Sequence, residues 1–203
     1  ITKSGQSLLT IIADILDMAE LEAGKIRIDK RPMILSDAAR EAVDAIREEA
    51  EQKGLKISAN FSDQTPLLAD RRAIGRILSH LLSNALKFTL EGGRISVTTR
   101  EVSGAINLYV EDTGIGIPKD ALAKLGRPFE WVAMDARHPT EGAGLGLAIA
   151  RSFAELHGEL VQIEFTLSDY VSYPDAGRDA LAYDQFVKSL PYHPTLNLDD
   201  CAY

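Results

Sequence analysis

The chain has 203 residues, 45% hydrophobic and 26% charged, enough for one well-buried core plus appended segments. With 30 acidic against 22 basic residues and a formal charge of -8, it lacks the broad basic footprint of a nucleic-acid binder, so no nucleic-acid partner is expected. The single Cys201 rules out an internal disulfide and a Cys-rich metal site and fits the cytoplasm, and no apolar run approaches the roughly 20 residues that span a bilayer.

Ile1 to Gly5 show neither an initiator Met nor a signal-peptide pattern, so the chain reads as a piece of something longer. Leu8, Ile12, Ile15 and Ala19 recur at helical spacing, widened by Leu9, Ile11 and Leu16, which predicts a helix that packs on other helices and ends at Gly24. Over residues 25–35, Ile26 and Ile28 alternate with charged residues, predicting a half-buried strand that Pro32 confines to an edge or an end. Ser36 is the expected cap of a helix over 37–53, stopped by Gly54.

Alternation returns over 55–61. Residues 70–88 then predict a long helix with apolar Ile74, Ile77, Leu78, Leu81, Leu82 and Leu86. A Gly92-Gly93 turn introduces strands near 94–101 and 105–111. A last helix over 145–156 leads into a short apolar stretch at 160–167. From 168 onward six Asp stand against Arg178 and Lys188, a net charge of -4.

Three segments carry the chemistry. On the long helix, His80, Asn84 and Lys87 share one face by their spacing of four and three. An amide oxygen from Asn84 suits the octahedral oxygen shell of Mg2+, and Lys87 suits phosphate charge. The same spacing also describes an ordinary polar stripe on an amphipathic helix. Where an apolar strand ends, Asp112-Thr-Gly114-Ile-Gly116-Ile117 offers a carboxylate to an exocyclic amine and glycines that let a flat ring approach the backbone; an ordinary Asp-Gly turn has the same look. Gly142-Ala-Gly144-Leu145-Gly146 runs directly into a helix, where backbone N–H groups and the helix dipole favour an anion such as a triphosphate. A dinucleotide-binding fold would place such a loop after its first strand, not late in the chain.

In order and spacing these segments resemble the catalytic ATP-binding domain of sensor histidine kinases, within the wider superfamily of DNA gyrase, heat-shock chaperones and mismatch-repair ATPases. The N box matches residues 80–89, the two glycine boxes match 112–117 and 142–147, and the F-box phenylalanine matches Phe129, making 126–140 the ATP lid. The resemblance implies that Asn84 holds Mg2+, Asp112 binds the adenine amino group, and Gly142, Gly144 and Gly146 receive the phosphates of ATP. It also puts Lys87, Gly114, Gly116, Ile117, Phe129, Leu145 and the lid residue Arg137 at the nucleotide, and His80 and Asn84 at the catalytic centre. Lys124 and Arg127 rival Arg137, and each of these cations has an ordinary solvated reading. The first helix resembles the second helix of the dimerisation and phosphoacceptor hairpin, which implies a homodimer, a response-regulator receiver domain as partner, and the cytoplasmic part of a sensor, anchored in a membrane or not.

The chain departs from that pattern in two places. The hairpin helix that carries the accepting histidine is missing, and His80, His138, His157 and His193 do not replace it; His157 reads as a partner of the macrodipole at its helix's end. After Gly158 the family expects a two-strand hairpin, whereas 159–167 suffice for one strand. Either the hairpin has been lost or the chain is broken near Ile163 and Glu164.

The expected architecture is a two-layer α/β sandwich, a mixed sheet with three principal helices on one face. The expected organisation is a partial dimerisation helix at 1–24, the catalytic domain at 25–167 and an acidic tail of unassigned role at 168–203. Hydrolytic relatives carry a glutamate four residues before the metal-binding asparagine, where this chain has His80, which favours transfer to a histidine over hydrolysis. The alternatives are a nucleotide-sensing pseudokinase scaffold that binds a response regulator without phosphorylating it, and a hydrolytic ATPase.

Overall fold

A computed structural model describes residues 3–62, 65–102, 105–117, 126–129, 143–158 and 162–166. Helix α1 (Lys3–Glu22) is followed by β1 (Arg31–Met33), α2 (Leu35–Gln52), β2 (Lys56–Phe61), β3 (Leu67–Ala69) and α3 (Arg71–Phe88). Strands β4 (Arg94–Val102) and β5 (Ala105–Asp112), helix α4 (Gly146–His157) and strand β6 (Gln162–Thr166) complete the described elements.

The main sheet runs β2-β4-β5-β6, with β4 antiparallel to β5 and the outer pairs parallel. The register sets Val97 opposite Val110 and Thr99 opposite Leu108, so Ile95, Val97, Ile106, Leu108 and Val110 form one buried face. Helices α2 and α3 pack on that sheet and α4 packs on α3. Leu78, Leu82 and Ile149, each at or below 1% exposure, occupy the centre. This is the expected two-layer α/β sandwich.

Helix α1 turns a different side to the core. Asp14 and Met18 are buried, whereas Leu8, Leu9, Ile12, Ile15 and Leu16 are exposed. None of the described helices is long and apolar enough to cross a membrane.

Two local expectations need correction. The strand expected over 25–35 shrinks to β1, paired with the short, unanticipated β3; residues 25–30 are irregular because their polar backbone is served elsewhere, Asp29 N–H donating to Asp70 Oδ2 at 3.0 Å. Ile26 and Ile28 still pack against the core, so their alternation reports half-burial and not a ladder. Ser36 does not cap α2: the N-cap is Ile34, which makes no side-chain cap bond, and the helix starts early enough to bury Leu35. Strand β6 pairs with β5 in register through Ile163 and Glu164, the one strand that the length of 159–167 allowed.

Candidate nucleotide site

Helix α3 is pinned at both ends by side chains. At its start, Asp70 Oδ1 accepts from Arg72 N–H at 2.9 Å and Ala73 N–H at 3.3 Å, a side-chain N-cap. At its end, Lys53 Nζ, at the C-cap of α2, donates to the carbonyls of Leu86 and Lys87, the latter at 3.1 Å, neutralising the negative end of the helix. The face bearing His80, Asn84 and Lys87 is covered: His80 is buried and the other two are half-buried, so it is no solvated stripe. Lys87 Nζ sits 4.8 Å from the centre of the Phe88 ring.

The first glycine turn closes on the end of this helix. Asp112 Oδ1 accepts from Gly114 N–H at 2.8 Å, Thr113 N–H donates to Arg94 O at 3.0 Å, and Ile115 N–H donates to Phe88 O at 3.2 Å. A Cβ on Gly114 would lie 2.6 Å from both Phe88 O and Asp112 Oδ1, which no side chain tolerates. Burial raises the Asp112 carboxyl above its ordinary range, and the bond from Gly114 works against that rise. Gly116 and Ile117 follow, half-buried, on the same turn.

The second turn closes on the middle of α3. Gly144 has φ 68°, Leu145 is buried, and α4 begins at Gly146 with no side-chain cap bond from Leu145. A Cβ on Gly146 would fall 2.9 Å from His80 Nδ1, so the turn rests directly on the His80 ring. Burial, aided by nearby Arg76, lowers His80 to about 4, and its ring is neutral at physiological pH.

The two turns therefore touch α3 at His80 and at Phe88. Asn84 is four residues from each, one helical turn from both, and half-buried. Sequence spacing named these residues; only the tertiary contacts bring both glycine turns to one helix face.

Phe129 is 63% exposed and has φ 61°, the left-handed region that a bulky side chain seldom adopts. Arg137, Gly142, Lys124, His138 and His193 lie outside the described residues. His157 is not a cationic partner for the helix dipole: it is fully buried, its Nε2 accepts from Asp70 N–H at 3.0 Å, and its Nδ1 bonds Phe153 O at 2.7 Å. Burial lowers its pKa, and a neutral ring is what accepting at Nε2 requires.

Sequence reasoning missed the groups behind the site. Asp70 joins Asp29, His157 and the start of α3, and Asp14 and Asp17 of α1 meet Arg76 of α3. Two carboxylates three residues apart beside an apolar stripe were the available signal for the second group.

The chain matches the model of the histidine kinase-, DNA gyrase B- and HSP90-like ATPases over residues 69–179. It is 38% identical over 168 residues to histidine protein kinase DivJ of Caulobacter vibrioides, covering 82% of this chain and 28% of that protein. Full-length ShkA in complex with AMPPNP has a similar structure, at 32% identity and TM-score 0.65, covering 77% of this chain and 32% of the other. Histidine kinase ThkA in complex with response regulator TrrA is also similar, at 25% identity and TM-score 0.53, covering 63% and 37% respectively. The chain spans 16% to 31% of the length of the curated relatives it was compared with. With its family model covering more than half of the chain, the protein belongs to the histidine kinase-, DNA gyrase B- and HSP90-like ATPase family.

Proposed function

We propose that this chain is the ATP-binding catalytic region of a cytoplasmic protein-histidine kinase, serving a histidine outside these 203 residues. The observation that carries the reading is the closure of both glycine turns on α3, at His80 and at Phe88, one helical turn to either side of Asn84. In this reading Asp112 accepts from the adenine amino group, a role its partly buried position strengthens. Gly142, Gly144 and the start of α4 receive the phosphates, because the helix lacks a side-chain cap from Leu145 and its first N–H groups suit an anion.

The described residues contain no group of three or more His, Cys, Asp or Glu side chains suited to a metal. Asn84 would hold Mg2+ through its amide oxygen, together with phosphate oxygens and water. When bound, it neutralises phosphate charge during transfer. Lys87 supports the phosphates from the same helix and Arg137 from the lid, while Phe129 belongs to the nucleotide site as part of that lid. His80, neutral and buried, provides no carboxylate base for water, which suits transfer over hydrolysis. The γ-phosphoryl group leaves ADP for the imidazole nitrogen of the acceptor histidine and passes on to an aspartate of a response-regulator receiver domain. The exposed apolar side of α1 fits a helical bundle with its dimer partner.

The test supplies a histidine-bearing helical hairpin and a receiver domain in trans with labelled ATP and Mg2+. Acid-labile label on the hairpin, absent with Asn84→Ala, supports the reading. Steady ATP turnover with no labelled hairpin would overturn it in favour of a hydrolytic ATPase.

A further inference from the structure

The contact between α1 and α3 holds a group of charged side chains that the nucleotide reading leaves unused. Arg76 of α3 donates from Nε to Asp17 Oδ2 at 2.7 Å and from Nη2 to the same oxygen, and that Nη2 stands 3.5 Å from Asp14 Oδ1. Asp14 Oδ1 in turn faces His80 Nε2 at 3.7 Å, too far for a hydrogen bond. His80 Nε2 is buried and has no hydrogen-bond partner among the described residues. The opposite edge of the ring meets Gly146, whose added Cβ would lie 2.9 Å from Nδ1 and 3.4 Å from Cγ. One rigid ring thus separates a buried carboxylate of α1 from the backbone of the second glycine turn.

Arg76 is paired with Asp17 on the more exposed side of this group. Asp14 is buried more deeply, at 8% exposure, and its burial raises its pKa, a desolvation cost that Arg76 offsets only in part. An approach of about half an ångström would give His80 Nε2 its missing partner. Close-packed groups transmit such a shift without absorbing it, and the next group in line is Gly146.

We propose that Asp14 is a positioning residue for the glycine turn at residues 144–146, acting through the His80 ring, so that α1 docking and nucleotide binding favour each other. The first half stands on the contacts alone; the second rests on the reading that this turn receives phosphates. Linkage makes the effect reciprocal: whatever factor docked α1 adds to nucleotide affinity, nucleotide adds to α1 docking.

Two measurements on the full chain test this. In nucleotide-free protein, amide hydrogen exchange at Ile149, whose N–H donates to Leu145 O of the turn, is compared among wild type, Asp14→Leu, Arg76→Gln and Asp14→Asn, with residues 43–50 of α2 as the internal control for intact folding. Exchange at the turn should quicken at least about tenfold in the first two variants, while Asp14→Asn, which keeps a polar group of the same size facing Nε2, stays near wild type. Calorimetric titration with ADP should show about 5- to 50-fold weaker binding for Asp14→Leu, near-wild-type binding for Asp14→Asn, and no further loss from Asp14→Leu in a His80→Asn background.

Unchanged exchange at the turn in both Asp14→Leu and Arg76→Gln overturns the positioning role. Quickened exchange with unaltered ADP affinity overturns the coupling and leaves the nucleotide reading intact. A wild-type chain that binds no ADP overturns the coupling together with the nucleotide reading, while the exchange result still decides the positioning role.

Discussion

The His80 ring and the Gly146 backbone are packed so closely that a single added Cβ would stand 2.9 Å from the imidazole Nδ1. At most helix starts alanine would be tolerated or mildly stabilising, but here it must displace either the ring or the turn. Gly146→Ala should destabilise the protein by about 1–3 kcal/mol, the usual range for overpacking, and weaken ADP binding. Pairing it with His80→Ala relieves the clash, and a double-mutant cycle in urea should return a coupling of about 1 kcal/mol or more. Additive effects would sink the contact.

Specificity for the base should depend on Asp112. A carboxylate accepts from the amino group of adenine, whereas guanine presents a carbonyl at the matching position. Asp112→Asn should weaken ATP binding about 10- to 100-fold, as expected for losing a charge-assisted hydrogen bond, and narrow the ratio of ATP to GTP affinity. Competition titrations measure both. An unchanged ratio would remove Asp112 from base recognition.

Acid should weaken the fold through its buried histidines. His80 has an ordinary value of 6.5 and is lowered to about 4 in the folded protein, so as pH falls the unfolded chain binds its proton first. Its contribution is complete above 6.5 and is lost between 6.5 and about 4, on the order of 3 kcal/mol in all. His157 is lowered as well and acts in the same direction. Asp14 and Asp112 are raised above 3.8 and act oppositely, their contribution being present below 3.8 and lost as pH rises through their folded values. Urea midpoints should fall between pH 7 and pH 5, with a shallower fall in His80→Asn. A flat profile in the wild type would contradict the burial of these rings.

Asp70 should be among the costliest single polar side chains to remove. It caps α3 through Arg72 and Ala73 and receives Asp29 N–H, and these bonds hold its carboxyl below its usual range. Asp70→Ala should cost about 2 kcal/mol, one part for the cap and one for the partner left unpaired. Asp70→Asn should recover much of this, since its amide oxygen also caps. Equal melting temperatures for Asp70→Ala and wild type would refute the assignment.

Much of this was legible along the chain because it depends on local rules. The apolar spacing from Ile74 to Leu86 sets a helix of its own accord, Gly92-Gly93 sets a turn, and alternation from Ile95 to Val110 sets two strands with one buried face. The glycine segments announced close backbone approach, and their order supplied the family. Tertiary structure decided what each was approaching. No local signal says that Gly114 meets Phe88, that Gly146 meets His80, or that Asp14, 66 positions upstream of His80 in the sequence, faces the same imidazole.

The same division explains the errors. Residues 25–30 carry a strand's alternation but found a side chain, Asp70, where a strand would need a neighbouring backbone. His157 has the position of a dipole partner but a burial that keeps it neutral. Sequence determined which residues are apolar, which turns are permitted and which segments carry the family's pattern. Packing alone decided which of those groups are stripped of water, and hence which are neutral, which are charged and which touch, because desolvation depends on neighbours that are distant along the chain.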